Sequence, residues 1–321
     1  MWKFVVRRIL IMIPQLVVLS ILVFILAKVM PGDALSGLVE TPGVDSSTIE
    51  DMRTTLGIND PVHVQYLNWI KGLSQGDLGT SYIHQRPVLE LLEARLWNTV
   101  YLSAAILFLT YLIAIPLGIT AGRFHDSLID KLIVGYNYIT YATPLFIFAL
   151  LMLFVFGFQL QWFPTGGSAD INLEPGTFSY YMDKIYHLLL PALSGALLAT
   201  VGTIQYLRNE IIDTKMKDFI KTAKSKGVPE AKIYSHHILR NSFLPIAAFL
   251  GYEITGLITG SIFLESIFSY PGIGQLFLQS ISQRDFSVVT ALVMVTGVAT
   301  LIGTLLSDII LSLVDPRIRV E

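Results

Sequence analysis

The chain has 321 residues, 53% of them hydrophobic and 14% charged, and a mean hydropathy of +0.62. Soluble domains carry about a quarter charged residues, so this is the composition of a protein of the bilayer. A net charge of −2, with no basic run interleaved with aromatics, argues against nucleic acid as a partner, and the absence of cysteine excludes disulfides, thiolate zinc sites and iron–sulfur clusters.

Little in the sequence is equipped for chemistry. The six histidines are His63, His84, His125, His187, His236 and His237, and none pairs with another at the i, i+4 spacing of a helical zinc motif. No phosphate-binding GxxxxGK[ST] run is present. The expectation is therefore no catalytic residue, no metal and no cofactor on this chain. If ATP drives it, another subunit binds the nucleotide.

Crossing the hydrocarbon takes about 20 apolar residues, because backbone polar groups there must be satisfied within the helix. The first uncharged run, 9–27, follows Lys3, Arg7 and Arg8, yet its apolar core is too long for a signal peptide and no small-x-small cleavage pattern follows. It reads as a retained anchor. Further runs predict spans over 99–122, within 132–169, and over 188–207, 243–264 (interrupted by Glu253) and 286–307, six in all. With the N-terminus inside, the cytoplasmic segments hold 15 of the 22 Lys and Arg, which puts both termini in the cytoplasm. Trp2, Trp97 and Trp162 fall at span edges, where indole rings favour the interface.

Residues 31–98 form a polar insert with nine acids against four bases. Ser47 and Glu50 have capping-box spacing ahead of Met52, and Gly57 sits where that helix would stop. Pro61 is expected as the first helical residue of a second helix through Trp69, and Pro87 opens a third over 88–96. The insert reads as a solvated cap with no partner, or as a docking surface for an external protein or an outer vestibule.

The most informative stretch is the charged loop 208–242. Ile212, Met216, Phe219, Ile220 and Ala223 recur at helical spacing opposite Lys215, Lys217, Asp218, Lys221 and Lys224. Gly227 ends that helix, and Pro229 and Glu230 start a second one with an apolar face of Ala231, Ile233, Tyr234 and Ile238. One reading lays a basic amphipathic helix on anionic headgroups. The other inserts two amphipathic helices, joined by a tight Gly-x-Pro turn, into a groove of a partner protein.

Glu253 is the only carboxylate well inside a span, a costly placement unless it meets a partner or water. It reads as a residue of a solute path or as a packing carboxylate. Glu265 and Asp308, near span ends, read as hydrated. Pro271 and Gly272 read as a turn with Gly274 a second flexible point, shaping an outer gate or simply terminating a helix. Gly122, and glycines from Gly135 to Gly303, read as helix-packing contacts.

The run Lys221-Thr222-Ala223-Lys224-Ser225-Lys226-Gly227, with His237-Ile238-Leu239-Arg240-Asn241, resembles the "EAA" loop of type I ABC importer permeases in its dipeptide/oligopeptide/nickel form. Ala223, Gly227 and Leu239 keep the general pattern. Lys221, Thr222, His237 and Arg240 depart from it in the manner of the peptide branch. The resemblance extends to Pro31-Gly32-Asp33, Leu56-Gly57 with Asp60-Pro61, Gln65-Tyr66, Gly76-Asp77-Leu78-Gly79, Glu265 to Phe268, Pro271 to Gly274, Arg284-Asp285 and Asp315-Pro316-Arg317. In that order these motifs look like the first of the two permease subunits.

The resemblance implies an all-α integral membrane protein with six transmembrane helices, a MetI-like transmembrane domain and a helical extracellular insert. Its parts would be a tip and first helix (1–30), the insert (31–98), the permease core (99–314, containing the 208–242 coupling loop) and a tail (315–321). It implies a non-catalytic plasma-membrane subunit importing oligopeptides or dipeptides. The partners would be a second homologous permease, two ATP-binding subunits carrying ATP and magnesium, and an extracellular peptide-binding protein, all set in lipid. The coupling residues would be Lys221, Thr222, Ala223, Gly227, Pro229, Glu230, Tyr234, His237, Leu239, Arg240 and Asn241. Ala223 and Gly227 would permit close approach, Glu230 and the lysines would set charge complementarity, and His237 to Asn241 would anchor the loop to the fifth span. Import of nickel or another small solute by the same architecture, an ion-coupled secondary transporter, and a scaffold that moves nothing remain as alternatives.

Overall fold

The computed structural model describes residues 2–29, 46–55, 57, 59–81, 83–243, 246, 253, 256 and 261–314. In chain order its elements begin with α1 (Trp2–Val29), α2 (Ser46–Thr55), α3 (Val62–Ser74), β1 (Thr80–Ser81), β2 (Arg86–Pro87) and α4 (Val88–Arg123). Next come α5 (Leu128–Ala142), α6 (Leu145–Met152), a π-wound segment (Leu153–Gln159) and α7 (Phe178–Met216). α8 (Asp218–Ser225), α9 (Glu230–Lys232), a second π-wound segment (Ile233–Leu239) and α10 (Arg240–Ser242) build the basic loop, followed by α11 (Ile262–Ile267), α12 (Ile273–Ser282) and α13 (Phe286–Val314).

The chain divides into two compact units, one of residues 1–100, 258–266 and 271–302, the other of residues 101–257, 267–270 and 303–321. In the first unit α1 carries α3 on an aromatic cluster: Phe24 meets Tyr66 and Trp69 at 5.3 and 5.7 Å, and the Tyr66 hydroxyl pairs with Ser20 Oγ at 2.9 Å. Ser47 lies inside α2 rather than ahead of it. Pro61 sits at the N-cap of α3, one position earlier than expected, and the helix runs past Trp69 to Ser74. A two-stranded antiparallel ribbon pairs Thr80 with Pro87 and Ser81 with Arg86, a feature the all-helical reading did not contain. The expected third insert helix and second span are one continuous 36-residue helix, α4. Its first turns pack Val88 and Leu92 against Ile273, Leu276, Val288 and Leu292, all buried.

In the second unit the span expected within 132–169 is broken. α5 and the helix after it bend by 103°, where Thr143 is extended (ψ 117) and Pro144 supplies no N–H. α4 packs closely on α7: a Cβ added at Gly118 would lie 3.1 Å from Leu207 Cβ, and one at Gly122 would lie 2.8 Å from Ile211 Cβ. These glycines are packing contacts, as expected of Gly122. At Gly135 and Gly202 no described residue lies within 4 Å of a Cβ, so neither makes such a contact among the described residues.

Among the described residues four helices are long and apolar enough to cross a membrane, five if the bent pair is one span. The sixth expected span, 243–264, falls mostly outside the described residues, and Pro31 to Asp33, Leu56 and Asp315 to Arg317 fall wholly outside them.

Candidate functional site

The basic loop begins where α7 stops. Lys217 turns extended (φ −66, ψ 147), so α8 starts in a new direction and the apolar stripe read across the break is split. Ile220 and Ala223 are buried, whereas Met216 and Phe219, placed on the same stripe by sequence, are exposed. The far end of α8 closes in a Schellman motif: Val228 N–H donates to Ala223 O (3.2 Å) and Gly227 N–H to Lys224 O (2.9 Å). That geometry puts Gly227 at φ +71, a region a side chain strains. A Cβ there would meet no described residue within 4 Å, so among the described residues the glycine serves conformation and not close approach. Val228 folds back onto the core of the loop, as the motif favours.

Pro229 occupies the N-cap of α9, ahead of Glu230 in its first turn. The next seven residues wind as a π-helix, so Ile233 and Ile238, five apart, are both buried. With Leu207, Ile211, Ile220 and Ala223 they form one apolar core beneath the loop. Lys221, Thr222, Gly227, Pro229, Glu230 and Arg240 face solvent, and Lys221 pairs with Asp218 at 2.8 Å. Ala223, expected among the close-approach residues, is instead packed inward. Tyr234, His237, Leu239 and Asn241 are half-buried. The Tyr234 hydroxyl donates to Ile119 O (3.3 Å), the Arg123 guanidinium stands 4.9 Å over its ring, and burial pushes its phenol above the usual range. Asn241 Nδ2 donates to His237 O at 2.6 Å.

Three ties the sequence did not announce join the loop to neighbouring helices. Arg208 makes a bidentate pair with the buried Asp130 (2.6 and 2.8 Å), joining α7 to the first turn of α5, which Ser127 caps. Lys215 Nζ donates to Gly122 O and Arg123 O (2.7 and 2.8 Å), the last carbonyls of α4. Buried Ser242 donates from Oγ to Glu210 O (3.2 Å) and Ile238 O (2.9 Å). The described polar anchoring thus runs to α4, α5 and α7, and Ile246 of the expected fifth span joins the apolar core of the loop. His125, Asp126 and Asp130 have metal-ligand spacing, but both Asp130 oxygens are committed to Arg208.

Glu253 lies in the second unit, with Tyr111 as a polar neighbour. One Glu253 carboxylate oxygen and the Tyr111 hydroxyl are buried with no hydrogen-bond partner among the described residues.

The Pro271 to Gly274 stretch, in the first unit, leads into a helix. It starts α12, with Gly272 extended at the N-cap (φ −109, ψ −176). Glu265, expected to be hydrated, is fully buried there. Its carboxylate accepts from Thr99 Oγ1 (2.9 Å) and from Gln275 N–H (3.0 Å), one of the open donors at the start of α12. Thr99 Oγ1 in turn accepts from Ile273 N–H (2.8 Å), and Asn98 Nδ2 donates to Pro271 O (3.0 Å). A Cβ at Gly272 would collide with the Glu265 carboxylate, and one at Gly274 would lie 2.8 Å from Ile262 Cα. Glycine is required at both positions for space. Burial pushes the Glu265 carboxyl above the usual carboxylate range. Beyond α12, Asp285 caps α13 through Val288 N–H (3.3 Å) and accepts from Ser81 Oγ of the ribbon.

Residues 114–320 match the family model of the binding-protein-dependent transport system inner membrane component, and residues 1–103 match the model of its N-terminal part. The chain is 38% identical to the oligopeptide transport system permease protein AppB of Bacillus subtilis over 320 residues, covering 99% of this chain and all of that protein. It is 31% identical to the glutathione transport system permease protein GsiC of Salmonella typhimurium, covering 99% of each. Among solved structures, an inward-facing MetNI methionine ABC transporter superposes with a TM-score of 0.55 at 13% identity, over 71% of this chain and 97% of that one. The MetI-like helical fold expected from the sequence is met by this likeness, its count of six spans apart, and the family match meets the expectation of a non-catalytic membrane transport subunit.

Proposed function

Because the chain belongs to the family of binding-protein-dependent transport system inner membrane components, we propose that it is the peptide-translocating permease subunit of an ATP-driven importer. Relatives of matching length named as oligopeptide and glutathione permeases support peptides as the cargo. The partners proposed are a second homologous permease, two ATP-binding subunits and an external peptide-binding protein. A sixth span over 243–264 and cytoplasmic termini complete the topology, which places the basic loop on the inner face.

The observation that carries the reading is the build of the loop. An outer surface of polar Lys221, Thr222, Lys226 and Glu230, with Pro229 among them, rests on an apolar core, and Arg208, Lys215 and Ser242 tie it to the helices. A rigid element of that kind suits the coupling of an ATPase to moving spans. Glu253, beside Tyr111, is proposed to line the solute path. The test is uptake by the reconstituted complex. The proposal expects ATP-dependent uptake of labelled oligopeptides. Uptake of nickel without peptide would replace the cargo, and uptake driven by an ion gradient without the ATPases would overturn the class.

A further inference from the structure

We propose that Lys215 is a positioning residue of transport: by clamping the C-terminal carbonyls of α4 it makes that span move as one body with the basic loop. The inference rests on the coupling role proposed above and says where the loop's movement is delivered. α4 ends at Arg123, and the last carbonyls of a helix have no partner within it. The Lys215 ammonium fills two of them, Gly122 O at 2.7 Å and Arg123 O at 2.8 Å, with its positive charge at the negative end of the helix dipole.

Position matters as much as charge. Lys215 stands one helical turn after Ile211, and Ile211 is the residue against which Gly122 has no room for a side chain. The clamp thus closes the point of closest approach between α4 and α7. It also sits two residues before the Lys217 break that begins α8, so the docking helix hangs directly from it. The second contact on α4 comes from the far side of the loop, where Tyr234 donates to Ile119 O beneath the Arg123 guanidinium. α4 is therefore gripped from both arms of the loop, one before the Gly227 turn and one after it. In an apolar setting a methionine at 215 would keep the stem of the side chain and lose the grip.

The experiment uses the full complex in proteoliposomes, comparing wild type with Lys215→Met and Lys215→Arg. Peptide uptake and ATP hydrolysis are measured together. Lys215→Met is expected to assemble and hydrolyse ATP while uptake per ATP falls about tenfold, the size of a typical coupling free energy, and Lys215→Arg is expected to restore most of the ratio. An unchanged ratio in an assembled Lys215→Met complex overturns the inference. A purely structural lysine would lower assembly and leave the ratio alone. Should Lys215→Met fail to assemble, spin labels at Phe124→Cys and Met216→Cys, both exposed positions, decide the matter in protein that keeps Lys215. Their separation is expected to stay fixed between nucleotide-free and ATP-trapped states, and a change of about 5 Å, one helical turn, overturns it. Absence of ATP-dependent uptake in wild type would defeat the proposed function instead, whatever Lys215 does.

Discussion

Replacing Glu265 with alanine should loosen the start of α12 far more than an exposed carboxylate near a span end could. The side chain is fully buried and accepts hydrogen bonds from Thr99 Oγ1 (2.9 Å) and Gln275 N–H (3.0 Å). Losing two buried bonds of this kind, and leaving a helix-end N–H open, costs about 3 kcal/mol, and the cavity left by the side chain adds to that. About 3 kcal/mol is roughly a hundredfold change in a local opening equilibrium. Hydrogen exchange of residues 273–282 in the assembled complex reads that directly, because local opening governs amide protection.

The conservative variant carries a sign. Burial raises the Glu265 carboxyl above its ordinary value, so between those two values the folded protein holds more protons than the unfolded chain. Stability of this region therefore falls as pH rises through that window, by the linkage of protonation to folding. Glu265→Gln, which carries no titrating charge, should abolish this trend in the protection factors of α12 and cost much less than alanine. Equal protection in wild type and Glu265→Ala would refute the reasoning.

Gly227→Val, forced into φ +71, should strain the Schellman turn by about 1–3 kcal/mol and lower uptake per ATP, while Gly227→Asn, which tolerates that conformation, should retain most of it. Arg208→Met leaves Asp130 buried and uncompensated, a change that costs about 3–5 kcal/mol, and should lower the Tm of the complex; an unchanged Tm would show the pair to be dispensable. Gly122→Leu should prevent α4 from seating against Ile211 and reduce assembled complex. Gly135→Ala, with no described residue within 4 Å of its Cβ, should change stability by less than about 0.5 kcal/mol and leave Tm close to that of wild type.

The sequence signalled what local rules control. Apolar runs located the long helices, the Gly227 stop and Glu230 start of the loop's two arms stand where capping rules put them, and Glu253 was marked by its charge alone. What escaped depends on partners distant in the chain. Nothing local pairs Arg208 with Asp130, 78 residues away, or Lys215 with Gly122 O, 93 away. Glu265 looked like a hydrated carboxylate because its partners, Thr99 and Gln275, come from other helices. Gly272 and Gly274 looked like hinges because a glycine needed for space and one needed for φ read alike. The single helical stripe failed at Lys217, whose extended backbone no periodicity foretells; Ile233 and Ile238 do share the apolar face expected of them, but through a π winding over 233–239 that no local signal announces, and Ala231 is exposed.

The dock itself can be tested by photocross-linking in intact membranes, with a photoreactive residue placed singly at the exposed positions 226 and 230 and, as a comparison, at position 184 near the other end of α7. The account predicts that 226 and 230 capture an ATP-hydrolysing polypeptide and that 184 does not. Capture of that polypeptide only from 184, or no such capture from 226 and 230 in membranes active for uptake, would contradict it.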